Sequence, residues 1–292
     1  MDELVIILVR GIGLGAVFSL VAMSFNVVHN SSGILNFAQG NMLVLAGLFG
    51  FFTLPQEPEV ARWLLLVPVA AIFYAVVLAV QGWITLLPLR SSVEQHSWLI
   101  TTLAVSVMIG AVILIAQGPH ALSVKSPFPN FALLGTRTPT PYALAVLLAL
   151  LWYAGLRWFH ARTMTGLAIS AIAQDLDAAR AAGIRVRRLQ IYAFALSGAI
   201  VGSAGFVAAP VMSISADSGI IYVLNGFIAA VIGGLGSNLG ALIGGPLVGV
   251  ASMYAAYSYG GQFQNVVSLA LLIGVLMVRP QGLFGRTRAR QV

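Results

Sequence analysis

Between Leu4 and Val28 the chain carries a single charged side chain, Arg10, and eight further stretches are nearly as apolar. An α-helix needs about 20 mainly apolar residues to cross the hydrocarbon of a bilayer. The nine candidate segments are 4–28, 36–54, 63–89, 98–117, 142–159, 189–210, 219–236, 239–259 and 263–278. Hydrophobic residues make up 59% of the 292 and charged residues 8%, against roughly 25% charged in a soluble domain. There is too little polar side chain to cover a water-soluble core. The expected fold is an all-α polytopic membrane protein with about eight or nine transmembrane or re-entrant helices. Segments 36–54, 219–236 and 239–259 carry glycines and polar residues, and each reads as a full span or a broken, re-entrant one. Broken helices are tolerated at membrane depth where protein or water satisfies the freed backbone groups. The opening Met1-Asp2-Glu3 is acidic and lacks the basic region of a cleaved leader, so the first stretch is expected to be kept as a span.

The position of the basic residues sets the orientation. Arg157, Arg162, Arg180, Arg185, Arg187 and Arg188 fall between 157 and 188, and Arg279, Arg286, Arg288 and Arg290 fall in the tail. These are ten of the fifteen Lys and Arg residues, so both regions are expected on the cytoplasmic side. Four candidate spans separate them, an even number, so the two placements agree. The N-terminus and the loop 118–141 then lie outside. Five prolines from Pro119 to Pro141 make that outer loop an irregular, rigid segment in expectation. The whole chain, 1–292, reads as one transmembrane domain with a cytoplasmic loop at 160–188 and an extracytoplasmic loop at 118–141.

Several function classes fall away. The net charge of +7 sits in loops and tail without aromatic interleaving, so no nucleic-acid partner is expected. There is no cysteine, hence no disulfide or thiolate site. His29, His96, His120 and His160 lack a second ligand at helical spacing, and no metal is expected. No paired carboxylates, His-Glu pair or G-x-S-x-G is present, so the chain is not read as an enzyme. All eight acidic residues, Asp217 among them, fall in assigned loops, which speaks against ion coupling through an intramembrane carboxylate. One repeat is visible. Ser32-Gly33-Ile34, Gly40, Gly47 and Gly50 recur 186 residues on as Ser218-Gly219-Ile220, Gly226, Gly233 and Gly236. The assigned topology runs the two copies in opposite senses, the arrangement of an inverted-repeat transporter; shared glycine-rich composition is the other reading.

Six motifs stand in order along the chain: Asn36-Phe37-Ala38-Gln39-Gly40, Pro88-Leu89-Arg90, Gly118-Pro119 with Ser126-Pro127-Phe128-Pro129, Ala178-Ala179-Arg180-Ala181-Ala182-Gly183-Ile184, the glycines from Gly233 to Gly245, and Arg279-Pro280-Gln281-Gly282-Leu283-Phe284-Gly285. Together they resemble the branched-chain amino acid ABC transporter permeases, the shorter of that family's two permease types, over about residues 11 to 285. The resemblance implies an import complex in a bacterial or archaeal inner (plasma) membrane. Its partners would be a second permease, usually the longer paralogue, two ATP-binding-cassette ATPase subunits and an extracytoplasmic substrate-binding protein. No Walker-type G-x-x-x-x-G-K-[ST] occurs, so this chain binds no cofactor in expectation and ATP is hydrolysed by the partners. Members of the resembled family carry branched-chain amino acids, urea, short amides or aromatic acids. A passive channel is the rival outside the family.

Two groups of residues are candidates for function. Asn36, Gln39, Asn41 and Asn225 are amides in apolar surroundings and need partners. They line a substrate path, or they hold helices together by interhelical hydrogen bonds. Asn36 and Asn225 stand out because each is expected to begin a broken segment. The second group is Asp175, Asp177, Ala178, Ala179, Arg180, Ala182 and Gly183. Asp177 is expected to cap a short helix that Gly183 stops, with alanines that suit a groove on a partner. By resemblance this is the coupling helix on the ATPase; a connector whose arginines face anionic lipid headgroups is the alternative.

Overall fold

Long apolar sequence in a bilayer has one open-chain solution, the helix, because it satisfies every backbone group internally. The computed structural model describes residues 2–55, 57–86, 97–133 and 136–285. Its helices are α1 (Asp2–Ser32), α2 (Gln39–Thr53), α3 (Val60–Leu86), α4 (Ser97–Gln117), α5 (Thr140–Arg162), α6 (Met164–Gln174), α7 (Leu176–Ala181), α8 (Val186–Ala208), α9 (Ser218–Gly233), α10 (Asn238–Tyr259) and α11 (Gln264–Val278). Among the described residues seven helices are long and apolar enough to span: α1, α3, α4, α5, α8, α10 and α11, the last with the turn before it. Segment 239–259 is thus a full-length helix despite Pro246 inside it. Helices α2 and α9 have 15 and 16 residues. At about 1.5 Å per residue they measure about 22–24 Å, short of the ~30 Å hydrocarbon core. The loop 118–139 is less irregular than its prolines imply. Strand β1 (Phe131–Leu133) pairs antiparallel with β2 (Thr136–Thr138), and Leu122 pairs with Ile214 just ahead of α9.

Helices α1 and α8 form the centre. In α8 the most apolar window is 72% buried, whereas in α11 it is 6%. Leu20, Val21, Ala22, Met23 and Phe25 of α1 are fully covered, as are Phe194, Ile200 and Val201 of α8. The closest pairs are α1 on α10 and α3 on α8, and both run antiparallel. Gly11 faces Val250 while Gly15 faces Gly245 and Pro246; Gly198 faces Tyr74 and Leu78 while Gly202 faces Ala70 and Tyr74. Helix α2 leans on α8, α9 leans on α1, and α2 touches α9. Exchanging α1–α2–α3 for α8–α9–α10 leaves these relations unchanged, which is an inverted repeat. One pair breaks the symmetry: α9 lies along α10, whereas α2 barely touches α3.

The G-x-x-x-G pairs of α1 and α8 do the same work in the two halves. A Cβ on Gly11 would lie 2.7 Å from the Val250 Cα, and one on Gly202 would lie 2.8 Å from the Ala70 carbonyl oxygen. Small residues let helix axes close up where lipid gives no hydrophobic drive between helices. The 186-residue offset does not mark the structural register. It carries α2, residues 39–53, onto 225–239, past the end of α9 at Gly233. Gly47 and Gly50 lie inside a helix, whereas Gly233 ends one and Gly236, at φ +86°, sits in the following turn.

Candidate translocation site and coupling element

The turn 33–38 between α1 and α2 is held by amides. Asn36 Oδ1 accepts from the Ala38 N–H (3.1 Å) and from Gln81 Nε2 (3.0 Å), and its Nδ2 donates to Gln81 Oε1 (3.3 Å). Gln39 Nε2 donates to Ser197 Oγ (2.8 Å), and its Oε1 accepts from Ser24 Oγ (2.9 Å). Both amides are fully covered and spend their capacity tying the start of α2 to α1, α3 and α8. Asn41 Nδ2 donates to Ser106 Oγ of α4 (2.9 Å), but its Oδ1 has no partner. Asn225 lies in the middle of α9, not at its head. Its Nδ2 donates to the Ile221 carbonyl (2.9 Å) and to Asn265 Oδ1 of α11 (3.2 Å), leaving its Oδ1 unpaired. The four amides therefore do not share one opening: Asn36, Gln39 and Asn41 follow the first turn of α2, and Asn225 turns toward α11. Ser24, Gln81, Ser106 and Ser197 complete the network. Gln81, an amide inside an otherwise apolar span, is the one of these that sequence reading could have singled out.

The first turns of α2 and α9 meet inside the membrane thickness. A Cβ on Gly40 would enter Val223 and the Gly219 carbonyl, and one on Gly219 would enter Asn41. The depth follows from α4, whose 21 residues at about 1.5 Å each match the ~30 Å core. Ser106, the partner of Asn41, lies eleven residues before the C-terminal end of α4 at Gln117, or about 17 Å inward. The same depth results on α2, where Asn41 stands twelve residues before Thr53. Segments 33–38 and 209–217 thus lead in from opposite ends of the bundle, and the two short helices begin near the middle. A groove of about 790 Å³ between α1, α10 and α11, bordered by residues such as Leu8, Leu247 and Tyr254, offers almost no polar group to orient a solute.

At the arginine-rich end, Thr163 caps α6 by accepting from the Gly166 N–H (3.0 Å). The cap of α7 is Asp175, which corrects the expectation for Asp177. Extended backbone at Asp175 (φ −150°, ψ 110°) brings its Oδ1 to the N–H groups of Asp177 (2.9 Å) and Ala178 (3.0 Å). Asp177 already lies in the helix and pairs with Arg180 at 3.3 Å, an exposed pair that contributes little. Gly183 does stop the helix. At φ +79° it allows the Ile184 N–H to reach the Ala179 carbonyl (3.1 Å) and its own N–H to reach that of Arg180 (3.0 Å), a Schellman closure. Ala179 is 4% exposed and packs with Ile172 and Val186, flanked by Leu176, Ile184 and Leu189. Its small size seats α7 against the chain's own base. Asp175, Asp177, Ala178, Arg180, Ala182 and Gly183 are exposed. Beside them Arg180, Arg185, Arg187 and Arg188 line a crevice of about 520 Å³ floored by Trp83 and Ile191. The motif Pro88-Leu89-Arg90, His96 and the tail arginines Arg286, Arg288 and Arg290 lie outside the described residues.

Two short helices inside an inverted repeat, with a capped helix at the arginine-rich end, are the parts of a transporter. The family described as branched-chain amino acid transport system / permease component matches residues 7–276, from α1 into α11. The high-affinity branched-chain amino acid transport system permease protein LivH of Salmonella typhimurium is 27% identical over 97% of this chain and 96% of its own. BraD of Pseudomonas aeruginosa, of the same description, is 25% identical over 98% and 97%. A probable branched-chain amino acid transport permease protein LivH of Methanocaldococcus jannaschii is 28% identical over 91% and 88%. No solved structure matches the chain. A polytopic membrane protein whose helices carry this match along nearly their whole length belongs to the family of permease components of branched-chain amino acid transport systems.

Proposed function

We propose that this chain is the membrane-spanning subunit of an ATP-binding-cassette importer that moves branched-chain amino acids by alternating access. The observation that carries the reading is the meeting of α2 and α9 at mid-depth, Gly40 against Gly219, in two halves of opposite sense. Broken helices whose first turns meet at the midplane are where transporters place their substrates. Rocking one half on the other would open that point to either side. The relatives' substrates support branched-chain amino acids as the cargo. In this reading an extracytoplasmic binding protein delivers the solute to the outer loop around 118–141. Two ATPase subunits bind and hydrolyse ATP and push on α7, and a second permease completes the path in the inner membrane. The rigid seat of α7 on Ile172 and Val186 lets such a push reach the foot of α8, and so α3.

Reconstitution tests this. The chain, its partner permease, both ATPases and the loaded binding protein in proteoliposomes should take up leucine only with ATP inside reach of the ATPases. Equal uptake by the permeases without ATPases makes the protein a passive channel. ATP-driven uptake of urea, amides or aromatic acids in preference to leucine keeps the importer and replaces its cargo.

A further inference from the structure

Asp217 reads as a loop residue, yet the contacts of its neighbours set it well inward of the ends of α2 and α4. The carbonyl of Ala216 faces Gly110, seven residues before the C-terminal end of α4. The side chain of Ile214 faces Gly47, six residues before the C-terminal end of α2. Both put the segment about 10 Å inward of those helix ends, and Gly219 follows at about 17 Å. Asp217 stands between these levels, ahead of α9. It is exposed, and no described residue forms an ion pair with it. A carboxylate at such depth is costly against lipid, so its exposed side belongs to water, to a bound cation or to a neighbouring subunit.

The same side of α9 carries Ile220, Ile221 and Leu224, all exposed. With Asp217 they stand at i, i+3, i+4 and i+7, one face of the helix. A carboxylate heads an aliphatic stripe, the complement of a molecule with an ammonium group beside a branched hydrocarbon chain. A second polar group stands at the same turn: Asn41 is 3% exposed, its Oδ1 has no partner, and it lies against Gly219.

We infer that Asp217 and the Ile220–Ile221–Leu224 face of α9 line the substrate path, with the Asp217 carboxylate receiving the primary ammonium group of the cargo and the aliphatic stripe its side chain. This rests on the importer reading and adds the residue that would select an ammonium-bearing solute over urea or an amide. Removing the charge removes a charge-assisted hydrogen bond, so Asp217→Asn should lower leucine uptake by about tenfold or more. Assembly with the partners should stay intact, and Asp217→Glu should keep more uptake than Asp217→Asn. Normal uptake by Asp217→Asn overturns the assignment. So does loss of assembly in Asp217→Asn that Asp217→Glu restores, since the carboxylate would then be paired to a neighbouring subunit. A second measurement does not depend on transport. The chain has no cysteine, so Ile220→Cys offers a single thiol one turn from Asp217. A cationic, membrane-impermeant thiosulfonate should modify it faster than an anionic one, and Asp217→Asn in the same chain should erase that preference. No modification by either reagent, or an unchanged preference, overturns the inference even if the wild-type complex shows no ATP-driven uptake.

Discussion

Asn36 and Gln81 form a closed amide pair: each donates to the other, at 3.3 and 3.0 Å, in a buried site. Asn36 thereby fastens the turn before α2 to the C-terminal end of α3. Replacing one member leaves a buried amide unsatisfied, a cost of about 1–3 kcal/mol. Asn36→Leu and Gln81→Leu should each lower the thermal midpoint of the purified protein, and the double variant should lose less than the sum. Additive losses would mean that the pair is not coupled.

Glycine packing gives a sharper contrast. At Gly11 and Gly202 a Cβ would fall within 3 Å of the Val250 Cα or the Ala70 carbonyl, so valine there overpacks the α1–α10 or α3–α8 contact. Each substitution should cost about 1–3 kcal/mol or more and reduce the folded fraction in detergent. Gly155 on α5 has nothing within 4 Å of its Cβ site. Gly155→Ala should be neutral or stabilise by about 0.5–1 kcal/mol. Size-exclusion profiles and thermal melts of the three variants check the ranking.

How much of this is legible in the sequence differs from residue to residue. Leu4 to Val28 announces a span because hydropathy is local. Gly183 announces a helix stop because only glycine takes its φ of +79° freely. Gly11 and Gly15 read as span glycines, but their partners Val250 and Gly245 lie at the far end of the chain, and no local pattern joins them. Asp175 and Asp177 compete for one cap, and the extended backbone that decides it is not encoded in residue type. Asp217 reads as a loop acid because Pro210 and three nearby serines interrupt the apolar run. Its depth comes from Gly47 and Gly110, on helices α2 and α4. Properties of one segment are visible early; properties of a meeting between segments are not.

The absence of native cysteine makes orientation directly measurable. Arg162 ends α5 at the arginine-rich side, and Lys125 lies in the loop that follows α4. A cysteine at Lys125 should react with an impermeant thiol reagent applied to whole cells. One at Arg162 should react only after the cells are opened. The reverse pattern would invert the topology and move α7 away from any cytoplasmic ATPase.

The coupling element separates seat from surface. Ala179 is buried against Ile172 and Val186, whereas Ala178 on the same short helix and Ala182 at its C-cap are exposed. A bulky side chain at Ala179 must displace the chain's own packing, while one at Ala182 alters only what a partner meets. Ala179→Trp should therefore lower the stability of the isolated permease by about 1–3 kcal/mol and loosen the Thr163–Val186 region in hydrogen exchange. Ala182→Trp should leave the isolated permease unchanged, yet cut both binding-protein-stimulated ATP hydrolysis and uptake. Asp175→Ala removes the cap and should cost about 0.5–2 kcal/mol, seen as faster amide exchange at Asp177 and Ala178. Asp177→Ala, which breaks only an exposed pair, should cost well under 1 kcal/mol. A cysteine at Ala182 should cross-link to an ATPase groove more readily than one at Ala179, because only the first presents its Cβ outward. If Ala182→Trp and Ala178→Trp both leave uptake and stimulated hydrolysis intact, α7 is a connector. The exposed arginines Arg185, Arg187 and Arg188 beside it would then face lipid headgroups instead of an ATPase.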